Sequence, residues 1–145
     1  MPELPEVETT KQAIDVFLTN KKVEEIKIYK KKLRWIIPQK MSKELKNSIL
    51  LKPYRIGKYI LIPTNRNQTL LLHLGMSGRI KLENYLSKLE KHDHFRMVVS
   101  DKENNFFMTY NDPRRFGVID FFENNFTKEH FLLKKIGLDP FSKKF

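Results

Sequence analysis

The chain has no cysteine. That excludes a disulfide framework and every zinc finger or ribbon built on thiolates. Four histidines are left as soft metal ligands, too few in this pattern for a buried structural metal, so no metal is expected. No apolar run approaches the roughly 18 residues that a membrane-spanning helix requires, and no membrane partner is expected. The opening residues Met1-Pro2-Glu3-Leu4-Pro5-Glu6 are acidic and proline-rich, the opposite of a secretory leader or transit peptide. Residence in the compartment of synthesis, the cytoplasm, is therefore expected. Repeats and low-complexity tracts are absent. Acidic residues are in the minority, 17 Asp+Glu against 28 Lys+Arg, for a formal charge of +11.

What is present is one domain's worth of globular sequence. The 145 residues are 40% hydrophobic and 31% charged, enough apolar surface to bury a core without staples. The positive excess points to a polyanionic partner, of which nucleic acid is the commonest. Because 21 of the 28 basic residues are lysines, a merely solvated lysine-rich surface accounts for the same number.

Periodicity predicts a helix over 5–18. Pro5 suits its first position, Glu6 and Glu8 complement its dipole, and Val7, Thr10, Ile14, Phe17 and Leu18 form one buried face. The pattern then turns to short β-branched and aromatic runs at 23–29, 33–37, 49–55, 58–63, 69–74, 78–83, 95–100, 106–110 and 118–122. Turn residues punctuate them, among them Pro38, Gly57 and Asn111-Asp112-Pro113. Short helices are expected at 42–47, capped by Ser42, and at 128–135, capped by Thr127 and stopped by Gly137. This organisation predicts an α+β, mainly β fold: an antiparallel two-layer β-sandwich or flattened barrel, with an N-terminal and a C-terminal helix at its ends.

The N-terminus carries the sharpest chemical signal. A small second residue permits removal of Met1, which makes Pro2 a terminal secondary amine. Such an α-amino group titrates near ~7.7–8.0, far below a lysine at ~10.4. It is a nucleophile able to attack a sugar C1′ and form an iminium, while Glu3 protonates the ring oxygen. A proline that only starts a helix is the plain alternative.

The segment Met1-Pro2-Glu3-Leu4-Pro5-Glu6-Val7-Glu8-Thr9 resembles the N-terminal signature of the formamidopyrimidine-DNA glycosylases, bacterial enzymes that remove 8-oxoguanine and ring-opened purines. Three further blocks resemble that family in the same order: Arg55-Ile56-Gly57-Lys58-Tyr59, His73-Leu74-Gly75-Met76-Ser77-Gly78 and Asp112-Pro113-Arg114-Arg115-Phe116-Gly117. A weaker match is Lys91-His92-Asp93-His94. The related endonuclease VIII branch usually has glycine where Leu4 stands, so Leu4 favours the purine-directed branch.

The resemblance implies a bifunctional DNA glycosylase/AP lyase of base-excision repair, acting on double-stranded DNA that carries an oxidised purine or an abasic site. It implies Pro2 as the Schiff-base former, Glu3 as the acid, Glu6 as a supporting carboxylate, and Lys58 as a cation beside the lesion phosphate. For Lys58 the alternative is a strand lysine with a solvated tip. It further implies that Met76, Arg114 and Phe116 fill the void left by a flipped base, and that His73 and His92 approach the DNA backbone. On the residues alone, Met76 and Phe116 could equally be core, with Arg114 paired to Asp112. His94 reads as structural, and Arg115 stays unassigned. The pair His92 and His94 around Asp93 is a weak metal signal. The run Lys30-Lys31-Lys32 with Arg34 reads as a solvated face or a peripheral DNA contact and is not assigned to the site.

Family members are about twice as long. Residues 1–136 correspond to their N-terminal catalytic domain and 137–145 to the start of an interdomain linker. The helix–two-turn–helix element and the four-cysteine zinc finger have no counterpart here, so no cofactor is expected in this chain. A second polypeptide that completes the cleft, or self-association across the exposed domain face, is the further partner expected. The alternative function is a non-catalytic or partner-dependent DNA-binding fragment. A basic β-rich domain without a nucleic-acid role is the third reading.

Overall fold

The computed structural model describes residues 4–124. Pro2, Glu3, the expected helix at 128–135 and the tail at 137–145 lie outside the described residues. The elements, in chain order, are α1 (Leu4–Leu18), β1 (Lys22–Ile28), α2 (Met41–Glu44), β2 (Tyr54–Ile56), β3 (Tyr59–Pro63), β4 (Gln68–His73), β5 (Arg79–Glu83), β6 (Asp93–Asp101), β7 (Asn104–Asn111) and β8 (Val118–Glu123). They form two four-stranded sheets, ordered β1-β6-β7-β5 and β2-β3-β4-β8. Every pairing is antiparallel. The two-layer reading holds, but the sheets stay separate and do not close into a barrel.

The core lies between the layers. Ile60, Ile62, Leu70 and Leu72 of the second sheet share one buried cluster with Phe95, Met97, Val99, Met108 and Tyr110 of the first. Residues of opposite parity on β3 and β4, Leu61 and Leu71, face the other way into a second cluster with Val118 and Phe122. Burial on both faces explains why β3 and β4 read as continuous apolar runs rather than as alternation. Helix α1 joins the main cluster through Val7, Ile14 and Leu18, each burial contributing roughly 1.5–3 kcal/mol. Phe17 sets its ring edge-on against Phe106 of β7 at 6.3 Å. The helix ends where Asn20 takes φ 70°, a left-handed conformation that asparagine tolerates after a helix.

Three sequence expectations are corrected here. Residues 33–37 form no strand; only an isolated bridge, Lys32 to Ile36, remains. The alternation there comes from a loop folded on itself, with Leu33 and Ile37 buried and Arg34 and Ile36 exposed. The short second helix spans Met41–Glu44, and its cap position is Lys40, without a side-chain cap bond, rather than Ser42. Burial of Met41 and Leu45 sets its position in place of capping. The stretch 49–55 contributes two isolated bridges, Lys22 to Ile49 and Leu50 to Thr64, before β2 begins at Tyr54.

Candidate nucleic-acid interface

The site is built at one end of the sandwich by two loops. One follows β4 and runs His73-Leu74-Gly75-Met76-Ser77-Gly78; the other follows β7 and runs Asp112-Pro113-Arg114-Arg115-Phe116-Gly117. They dock through glycine. Gly75 has φ +60°, and a Cβ there would stand 2.5 Å from the carbonyl carbon of Phe116. A Cβ on Gly117 would overlap the hydroxyl oxygen of Tyr110. That hydroxyl donates to the His73 carbonyl at 2.7 Å, and burial raises its pKa well above the ordinary tyrosine value. Tyr110 therefore keeps its proton and stays a donor.

Between and beside these loops lies a cleft of about 730 Å³, lined by Lys32, Leu33, Arg34, His73, Gly75, Met76, Arg114, Arg115 and Phe116. Met76 is 41% exposed and Phe116 43%, which decides against a core role for either. The Arg114 guanidinium lies over the Phe116 ring at 5.4 Å and does not pair with Asp112. Two exposed apolar side chains and a planar donor therefore project together from a glycine-bounded rim. Arg115 adopts φ 61°, a strained conformation for a non-glycine residue, costing on the order of 1–2 kcal/mol.

His73 is held neutral. Its Nδ1 accepts the Gly75 N–H at 3.0 Å, which leaves the proton on Nε2 as a donor. Burial, then the Arg34 and Lys58 charges, lower its pKa from 6.5 to about 4. Its ring packs on Tyr59 with centroids 4.6 Å apart. Lys58 sits immediately before Tyr59, in the two-residue turn between β2 and β3 rather than on a strand. Gly57 supplies the φ of +58° at that turn, a positive value that a tight hairpin requires.

The Lys58 turn is tied to helix α1. Arg55 donates from Nε to Glu8 Oε1 at 2.7 Å and from a terminal nitrogen to the Gly57 carbonyl at 2.8 Å. Lys11 adds a second contact to Glu8 at 2.8 Å. Bonds from Lys11 and then Arg55 hold the Glu8 carboxyl down at about 2, so the bridge persists across neutral and mildly acidic pH.

The remaining candidates lie elsewhere. Glu6 is exposed in the first turn of α1, and its carbonyl accepts the Thr10 hydroxyl at 3.0 Å. His92 is half-buried, outside the cleft lining, and its carbonyl accepts the Asp112 N–H at 3.0 Å. The suspected metal cluster disperses: Asp93 pairs with Lys81 at 3.1 Å and accepts from Asn111 at 2.8 Å. His94 is buried and donates from Nε2 to the Asp112 carbonyl at 2.8 Å. Among the described residues no group of three metal-type side chains converges.

Sequence reasoning weighed Lys32 and Arg34 as a solvated face or a peripheral DNA contact and left them outside the site. The Arg34 N–H donates to the Gly117 carbonyl at 3.1 Å, which pins the loop at 31–37 against the loop at 112–117 and brings both cations to the cleft. The signal was the break in the strand pattern after Tyr29, where three lysines and Arg34 flank Leu33.

Residues 1–119 match the family model described as formamidopyrimidine-DNA glycosylase N-terminal domain. The chain belongs to the formamidopyrimidine-DNA glycosylase family. The enzyme of that name from Bartonella quintana is 40% identical over 154 residues, covering 100% of this chain and 53% of the relative. The one from Vesicomyosocius okutanii is 39% identical over 145 residues, covering 100% of this chain and 51% of the relative. The chain thus spans about half the length of the curated formamidopyrimidine-DNA glycosylases it matches. Among solved structures, the Lactococcus lactis formamidopyrimidine-DNA glycosylase bound non-covalently to DNA with an abasic site superposes with a TM-score of 0.79 at 28% identity, over 92% of this chain and 49% of that one. The same glycosylase in complex with DNA containing a ring-opened guanine lesion gives 0.78 at 28% identity, over 92% and 49%. Among the described residues no helix is long and apolar enough to cross a membrane.

Proposed function

We propose that this chain is the catalytic half of a DNA glycosylase/AP lyase for base-excision repair of oxidised purines in duplex DNA. The observation that carries the reading is the cleft, where Met76, Arg114 and Phe116 project beside neutral His73 and the cations Lys32, Arg34 and Arg115. No carboxylate is among its described lining residues. That combination suits a polyanionic backbone next to an unstacked base.

In this reading the nitrogen of Pro2, freed of Met1, attacks C1′ of the damaged nucleoside; the bond from C1′ to the base breaks, and the base leaves with the proton that the amine gives up. Glu3 gives its proton to the ring oxygen as the sugar opens, and the nitrogen lone pair closes the iminium. The iminium acidifies the C2′ protons. Removal of one sends electrons toward C3′ and expels the 3′ phosphate; a second elimination expels the 5′ phosphate. Lys58 stabilises the charge that develops on the departing phosphate, and the Glu8–Arg55 bridge holds its turn against α1. Glu6 supports the amine's helix end. His73 donates from Nε2 to a phosphate oxygen, and His92 approaches the backbone beside it. Arg114 addresses the base left without a partner.

The test is borohydride trapping. The protein, with Met1 removal verified by mass spectrometry, is incubated with an abasic-site duplex and with an 8-oxoguanine·cytosine duplex. The expected result is a covalent adduct that maps to Pro2, stronger on the abasic duplex because a pre-opened sugar bypasses base recognition. An adduct at any other residue, or none from a chain beginning at Pro2, overturns the catalytic reading. Binding without an adduct supports the alternative, a DNA-binding fragment.

A further inference from the structure

Asp112 has no exposed surface, and its carboxylate is unlike an ordinary surface acid in what surrounds it. Oδ1 accepts the Ser77 hydroxyl at 2.7 Å and the Arg115 N–H at 3.1 Å. Oδ2 accepts the Gly117 N–H at 2.9 Å, with the Tyr110 hydroxyl 3.5 Å away. Its backbone is equally engaged, through His92 and His94. A buried carboxylate is costly unless donors surround it, and here donors from both loops do. Ser77 is shared: its O–H donates to Asp112, while its oxygen accepts the Arg114 N–H at 3.0 Å.

Each wedge residue is adjacent to one of these bonds. Met76 precedes Ser77, Arg114 hangs from the Ser77 oxygen, and Phe116 stands between the two residues whose N–H groups meet the carboxylate. We infer that Asp112 and Ser77 are positioning residues, which lock the loops at 73–78 and 112–117 into one preformed wedge. The inference rests on the reading of the cleft as the place where an unstacked base leaves its void. A wedge ordered before binding avoids the entropy of ordering two loops on the DNA. The anion is required as such, because each of its oxygens meets a backbone N–H, Arg115 at Oδ1 and Gly117 at Oδ2; an amide would turn its own NH2 onto one of them.

The experiment uses the full chain with Ser77→Ala, Ser77→Thr and Asp112→Asn. Two readouts are taken: amide exchange at Arg114 and Gly117 in the free protein, and affinity for an abasic-site duplex against an undamaged one. Ser77→Ala is expected to speed Arg114 exchange and to weaken abasic-duplex binding, each by about tenfold, with undamaged binding held and the chain still folded, its melting temperature lowered by the lost bond to a buried carboxylate. Ser77→Thr restores both readouts. Asp112→Asn is expected to lose protection at Gly117 as well; if it fails to fold, the two Ser77 variants decide alone. An unchanged preference for the abasic duplex in Ser77→Ala, or equal losses on both duplexes, overturns the inference. A wild-type chain with no preference for the abasic duplex instead overturns the reading of the cleft, and the wedge role with it.

Discussion

At His73 the local hydrogen bond and the surrounding charge act in one direction. Nδ1 is committed to the Gly75 N–H, and burial with Arg34 and Lys58 holds the pKa at about 4 against 6.5 in the unfolded chain. The unfolded state therefore takes up a proton that the folded state refuses. Stability from this group is complete above pH 6.5 and is lost as the pH falls from 6.5 through 4, by at most about 3 kcal/mol. In His73→Asn, whose Oδ1 can still accept the Gly75 N–H, that loss is expected to vanish. Urea unfolding at pH 7 and pH 4.5 measures it: the wild type should lose more stability between the two than the variant does. Equal losses would show that His73 is not held neutral. None of this was legible in the sequence, because His73 looked like any histidine beside a phosphate site until its neighbours were known.

Elements differ in how much of themselves they announced. Helix α1 was legible because its burial is periodic, and β3 and β4 because both their faces are buried. The loop at 31–37 was misread as a strand, since burial of Leu33 and Ile37 with exposure of Arg34 and Ile36 imitates a period of two. The turns divide in the same way. Gly57 and Gly117 are both single glycines in short loops, yet they differ in kind. Around Gly57 a Cβ meets nothing within 4 Å, and only the φ of +58° opposes it. Gly57→Ala is expected to cost about 1–2 kcal/mol, whereas Gly117→Ala drives a methyl onto the Tyr110 hydroxyl and should cost more than 3 kcal/mol. Thermal melting of the two variants measures the difference. Similar melting temperatures would show that the two loops do not meet as closely as described.

For the whole molecule the decisive property is where the charge lies. The excess of +11 says nothing about direction, but the fold gathers Lys32, Arg34, Arg114 and Arg115 around one cleft. In the proposed reading Arg114 faces a base while the other three and Lys58 face phosphates, so the logarithm of the binding constant for an abasic duplex should fall with the logarithm of salt at a slope of about −4. Lys32→Ala with Arg34→Ala should reduce the magnitude of that slope by about 2. Titration by fluorescence anisotropy between low and moderate salt measures both. A slope unaffected by the double substitution would place those two cations away from the DNA.

By itself the sequence determined the family and the layered β-rich architecture, because those rest on local composition, periodicity and ordered blocks of residues. Tertiary structure alone decided that Lys32 and Arg34 join the cleft, that Lys58 rides a hairpin turn braced by Glu8 and Arg55, and that Asp112 binds two loops instead of pairing with Arg114. The physical reason is separation along the chain. Ser77 and Asp112 are 35 positions apart, and Glu8 and Arg55 are 47. Hydrogen bonds of that span depend on how sheets and loops pack, which no local pattern records.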